Sequence, residues 1–257
     1  MIELFRKNDL SFSPEAFFED AKSALGITDE VKVFFDSNLE EKKTRVSFNS
    51  TPPLITVGVK EYNWKQITEK QRLKICNTIY HELVHVRDRK RIKGIIDDDV
   101  MNSRDLAHFG YMLVDEFIAY TEANEIYPES EEDLNSSLED LYYVLFQHMT
   151  KGILYLNGSR IRTESDQNRF FEACYDNCSA LIPRYVICGG FSEDKKYVPF
   201  QRAMAGLVNS VDEKEKLDFE DYKQIGNSFI TNLIYDLPST KRKIFWENTG
   251  INCWEVK

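Results

Sequence analysis

Apolar positions recur at helical spacing along most of the chain, and runs of β-branched and aromatic residues interrupt that rhythm only between residues 31 and 59. Ser13-Pro14-Glu15 reads as an N-cap followed by proline in the first turn, opening a short helix through Leu25 that Gly26 stops. Val31 to Phe35, Thr44 to Phe48 and Leu54 to Val59 are strand candidates, with Glu40 to Lys43 as a polar connection. Their connections are too short for crossover helices, which predicts a small antiparallel sheet. Thr68 followed by Gln71 has capping-box spacing and opens a helix to about Arg91. At about 100° per residue, Leu73, Cys76, Ile79, Tyr80, Leu83 and Val84 gather on one of its faces.

A second long helix is predicted from Ser103 or Arg104 to Tyr127, where Pro128 ends it. Between the two helices, the basic run from Arg87 to Lys93 and the acidic Asp97-Asp98-Asp99 predict an exposed, mobile connection. The triple aspartate reads as a solvated turn, because a calcium loop needs ligands at alternating positions and a glycine that is missing here. Ser130-Glu131-Glu132-Asp133 opens another helix, on which Leu134, Leu138, Leu141, Leu145 and His148 share a face. Helices follow over Ser165 to Ile182, Pro199 to Asn209 and Phe219 to Tyr235, the last ended by Pro238. Asp212 to Glu215 has capping-box spacing, and the tail from Ser239, with Phe245, Trp246 and Trp254, is expected to pack back on the body. The fold class is therefore α+β and mainly helical: a core over residues 1–128 with a sheet of about three strands, then a helical extension over 129–257.

Composition leaves this picture in place: 42% of the 257 residues are hydrophobic and 30% charged, as in ordinary globular proteins. A net charge of -10 argues against general affinity for nucleic acid or anionic membrane. The five cysteines are odd in number and show no C-x-x-C spacing, which predicts reduced thiols in a soluble, cytoplasmic protein. Cys174 and Cys178 share a helix face and read as core residues. No run approaches the length of a membrane span, and residues 1–7 lack the apolar core of a secretory signal.

One stretch proposes a chemistry. His81-Glu82-Leu83-Val84-His85 places two imidazoles at i and i+4 of the first long helix, on the flank opposite its apolar face. Two such histidines can bind one Zn²⁺, and the glutamate between them can reach the water that the metal activates. A third ligand is needed, and helical phase selects it. Phe109, Met112, Leu113, Ala119, Tyr120, Ala123 and Tyr127 lie within roughly 60° of Glu116, whereas Asp115, Glu122 and Glu125 lie roughly 100° or more away. A carboxylate in the middle of an apolar face costs several kcal/mol unless paired or metal-bound, which makes Glu116 the ligand of choice. His108 is a rival, about 80° off that centre. Glu82 is then the general base, and either Tyr120 or His148 the donor to the oxyanion.

The helix carrying His81, Glu82 and His85, followed by Glu116 with Ala119, Ala123, Ile126 and Tyr127 after it and Pro128 closing, resembles the gluzincin-type metallopeptidases of the ImmA/IrrE group. The small sheet before the motif helix fits that group, so the resemblance covers residues 31–128. It implies Zn²⁺ on His81, His85 and Glu116, Glu82 as base, and limited proteolysis of an intracellular protein. One departure is Glu122, where the group has an aromatic; the half beyond Pro128 lies outside the resemblance. Asp88 and Arg91 occupy the places of the metzincin glycine and third histidine, which excludes that variant. The expected partner is a protein or peptide substrate, with no nucleic acid and no membrane. Two other readings stand beside this one: a non-catalytic scaffold that binds a protein partner, and a nucleic-acid regulator carrying Lys241-Arg242-Lys243, which the acidic balance disfavours.

Overall fold

The computed structural model describes residues 12–63, 66–92, 105–134, 139–140, 143, 174–175, 178–191, 193–212 and 217–249. These fold as seven α-helices and one three-stranded mixed sheet, an α+β and mainly helical protein. The elements are α1 (Pro14–Ala24), β1 (Lys32–Asp36), β2 (Arg45–Ser47), β3 (Leu54–Gly58), α2 (Glu69–Ile92), α3 (Leu106–Ile126), α4 (Leu181–Cys188), α5 (Val198–Asp212), α6 (Phe219–Ile234) and α7 (Ser239–Thr249). Two compact units share them. One comprises the described residues up to Asp88 together with Glu122–Glu129, the other Arg89–Thr121 together with those from Ser130 onward. Helices α2 and α3 each run from one unit into the other. Among the described residues no helix is long and apolar enough to cross a membrane.

In the first unit, α1 forms where its cap signals place it: the Ser13 hydroxyl accepts from the Ala16 amide at 3.2 Å, and Gly26 turns the chain at φ 67°. The sheet departs from the antiparallel expectation. Its order is β1-β3-β2, with β1 parallel to β3 (Val33 opposite Ile55) and β2 antiparallel to it (Val46 opposite Ile55). The reason is that residues 37–53 are themselves the crossover: they pass through the 3-10 turn Glu41–Lys43 and through β2, so β3 enters between its predecessors. As the central strand, β3 buries Ile55 and Val57 completely.

Helix α2 starts on its predicted capping box. The Gln71 amide donates to Thr68 Oγ1 at 3.2 Å, and the Thr68 amide donates to Gln71 Oε1 at 3.0 Å. Thr68→Ala is therefore expected to cost about 1 kcal/mol, read as a lower urea midpoint; an unchanged midpoint would mean that the box contributes nothing. The helix continues to Ile92, so Arg87 to Ile92 is helix and not the connection that its basic run suggests. Further along, Asn77 Nδ2 donates to the Tyr127 carbonyl at 2.7 Å, and the Tyr80 and Tyr127 rings meet edge to face at 5.6 Å. Glu41 accepts from Thr78 Oγ1 at 3.2 Å and pairs with Lys74 Nζ at 3.2 Å, tying the connection before β2 to the same helix.

The second unit is built on one apolar core that α3, α4, α5, α6 and α7 all enter, from Phe109 and Leu113 through Ile182, Phe200 and Met204 to Phe229, Ile230 and Phe245. Cys174 and Cys178 lie inside it, and burial pushes the Cys174 thiol up to about 12, so the pair packs rather than reacts. Main chains of α3 and α6 touch at two glycines: a Cβ on Gly110 would fall 1.9 Å from the Tyr222 carbonyl oxygen, and one on Gly226 2.6 Å from that of Leu106. Helix α6 opens on a reciprocal cap between Asp218 and Asp221, and α7 buries Phe245 as the tail's predicted anchor.

Several boundaries differ from the sequence reading. The Ser130 segment opens on a 3-10 turn at Glu131–Asp133, and Glu139, Asp140 and Tyr143 beyond it are helical. Helix α4 runs through Pro183 instead of ending before it, because a proline in the first helical turn removes an amide that has no intrahelical partner anyway. Asp212 is the last residue of α5, and Glu213 to Glu215 lie outside the described residues. Asp97 to Asp99, Leu138, Leu141, Leu145, His148, Cys253 and Trp254 lie outside the described residues.

Candidate metal centre

Helix α2 carries His81, Glu82 and His85 one turn apart, and the two imidazoles converge. Their Nε2 atoms are 2.9 Å apart, with the rings nearly perpendicular at 87°. The flank they occupy is closed. His81, Glu82 and His85 are only 8%, 7% and 6% exposed, and Ile79, Tyr80, Leu83, Val84 and Val86 around the rest of the helix are buried too. The expected split between a packed face and an open one does not hold over this turn. Three polar side chains enclosed together carry a desolvation cost that mutual bonding or a bound cation must offset.

Glu116 on α3 completes the group. One ligand atom from each of His81, His85 and Glu116 lies within 4.8 Å of the others, so the set can hold a metal ion. The chemistry of the donors fits a divalent transition metal: two imidazole nitrogens and one carboxylate oxygen, with donors on one such ion standing roughly 3–3.5 Å apart. Among the described residues the group includes neither His108 nor the buried cysteines. His108 is half-buried near the start of α3, where its amide donates to Asp105 Oδ1 at 2.9 Å.

Burial does not follow the phase argument that singled out Glu116. Asp115 is the more deeply buried of the two at 8% exposed, and Glu116 is half-buried. Helix α3 explains this, since Phe109, Tyr111, Leu113, Val114 and Ala119 are buried on phases all round it, leaving no single apolar face. Partners separate the two acids instead. Asp115 takes a hydrogen bond from Tyr111, whose phenol is held well above its ordinary value by burial and then by the Asp115 charge. Glu116 Oε1 takes one from the Tyr175 hydroxyl at 2.8 Å. Burial and then the Glu116 charge likewise hold the Tyr175 phenol far above its usual value, so it stays a donor.

A second polar assembly fixes the far end of α3 against α2. The Arg87 guanidinium forks onto Glu122, with Nη1 to Oε2 at 2.7 Å and Nη2 to Oε1 at 2.8 Å, and onto Asp88, with Nε to Oδ1 at 2.8 Å and Nη2 to Oδ2 at 3.0 Å. The Glu122 bond, more than the opposing cost of burial, raises the arginine above its ordinary value. Glu122 is thus the salt-bridge partner of a residue two places past His85.

Tyr175 and the Arg87–Glu122 fork carry no local sequence signal. Their partners stand 59 and 35 residues away, and nothing in the spacing of either pair announces the contact. Tyr120, one of the two oxyanion donors considered, is half-buried and packs against the core of the second unit; the other, His148, is not among the described residues. The chain matches no protein-family model, no curated protein and no solved structure.

Proposed function

We propose that the chain is a zinc-dependent peptidase of gluzincin type, with His81, His85 and Glu116 as metal ligands and Glu82 as general base. The observation that carries this reading is the convergence of one ligand atom each from His81, His85 and Glu116 within 4.8 Å, with a buried glutamate next in sequence to the first histidine. Two nitrogen donors and one oxygen donor suit zinc, and three protein ligands leave a position open, as catalytic sites require. When bound, zinc supplies Lewis acidity toward the scissile carbonyl and makes water a nucleophile near neutral pH. The residues do the rest. Glu82 takes the proton from the attacking water and hands it to the departing amine. Burial of Glu82 keeps bulk water away from that transfer.

The substrate class is a protein or peptide, and the resemblance to the ImmA/IrrE group favours limited cleavage of an intracellular protein. Metal analysis tests the foundation. The purified chain is expected to carry zinc near one equivalent and to lose it to a chelator, and Glu116→Ala to retain far less after the same dialysis. A wild-type protein without stoichiometric metal, or a Glu116→Ala variant that keeps it fully, overturns the assignment.

A further inference from the structure

We propose that Tyr175 is the positioning residue of the metal centre, donating its phenol hydrogen to Glu116 Oε1 so that the carboxylate is presented to the ion in one orientation. The inference rests on the metal-binding reading above. Glutamate is a demanding ligand to hold: ordering its side chain costs rotamer freedom, and its carboxylate offers about four lone-pair directions. A donor on Oε1 occupies one of these and stops the group turning about its last bond. The 2.8 Å bond from Tyr175 is of ordinary strength by length and joins residues 59 positions apart.

The tyrosine is itself held. Cys174 precedes it and Cys178 follows one turn later, 5% and 0% exposed in the apolar core, with Leu181 and Ile182 fully buried just beyond. Its ring packs on that same core. The hydroxyl therefore stands at the end of a rigid support, which is what a partner of a ligand needs if it is to fix the ligand's geometry. The same placement argues against a direct part in the reaction, because the phenol proton is already committed to a ligand oxygen. It also gives the residues beyond Pro128 a part in the centre: they supply the group that steadies its third ligand.

Tyr175→Phe removes one hydroxyl and leaves the ring in its packing, so the core is conserved. Zinc affinity, measured by competition against chromophoric chelators of graded strength, is expected to weaken by about 10–100-fold, the usual loss for an outer-shell partner. Cobalt substituted for zinc in the full-length variant is expected to show an altered visible spectrum, a readout that a packing change remote from the ligands leaves alone. The same substitution in a Glu116→Ala background is expected to change affinity no further. Unchanged zinc affinity in Tyr175→Phe overturns the proposal, and so does an equal loss in both backgrounds, which would place the effect in the core. Failure of the underlying reading looks different: the wild type itself then binds no zinc, or Glu116→Ala binds as tightly as wild type.

Discussion

Glu82→Gln is expected to lower kcat/KM for peptide hydrolysis by roughly 10²–10⁴-fold while leaving bound zinc at the wild-type level. The two halves of this expectation come from different features. Glu82 stands outside the group of donors formed by His81, His85 and Glu116, so exchanging its carboxylate for an amide of the same shape removes no ligand. It does remove the carboxylate proposed to accept a proton from water, and in a site this enclosed no bulk base replaces it. The loss should fall on kcat more than on KM, because the proton moves only in the transition state. Zinc content, circular dichroism and turnover of a peptide library, measured on the same preparations, separate the outcomes. Retained zinc with lost turnover supports the peptidase reading, and the variant then becomes a trap that holds its substrate in a lysate. Turnover unaffected by the exchange removes Glu82 from the chemistry, and a wild type that holds zinc but cleaves nothing in the library points to a metal-bearing binding scaffold.

What could be read from the chain and what could not divides along a physical line. Caps, helical periods and the His81 to His85 spacing are set by residues within a turn or two of one another, so α1, α2 and α6 begin within a residue of their predicted starts. Strand identity is similarly local, but strand order is not. Whether β3 pairs with β1 in parallel depends on the path of residues 37–53, and the inference from short connections overlooked that an intervening strand is itself a crossover. Glu116 is an instructive middle case. Phase placed it on the inner side of α3 and it does join the donor group, yet the supporting premise of one apolar face was wrong, since Asp115 is buried as well. What distinguishes the two acids is the identity of their phenol partners. Tyr111 is one turn from Asp115 and so legible in principle, whereas Tyr175 reaches Glu116 from 59 residues away and is not. Glu122 likewise acquires a reason only in three dimensions, as half of a forked ion pair with Arg87 from 35 residues away.

Gly110→Ala is expected to be strongly damaging for a single added methyl, costing about 3 kcal/mol or more and lowering the melting temperature by about 6–12 °C. Ordinarily this exchange inside a helix gains up to about 1 kcal/mol from propensity. At Gly110 the new methyl would meet the Tyr222 carbonyl oxygen at 1.9 Å, the carbon behind it at 2.8 Å and the Gly226 amide nitrogen at 2.9 Å. All three are backbone atoms of α6, which cannot rotate away as a side chain does, so the helices must separate. Separation strips contacts from Phe109, Phe229 and the Tyr111–Tyr222 ring pair, which now stand at 6.2 Å and 5.7 Å across the same crossing. Gly206 on α5 provides the control. A methyl there meets only side-chain atoms, the Asn232 nitrogen at 3.1 Å and the Ser228 hydroxyl at 3.8 Å, so Gly206→Ala should stay within about 1 kcal/mol of wild type. The consequence for chemistry follows from the continuity of α3: Glu116 lies about 9 Å further along the same helix at about 1.5 Å rise per residue. A shift of α3 displaces that carboxylate from both Tyr175 and the histidines, and zinc affinity should fall in Gly110→Ala but not in Gly206→Ala. Equal melting of the two variants, or undiminished zinc binding in a destabilised Gly110→Ala, would show that the glycine crossing does not set the position of the ligand.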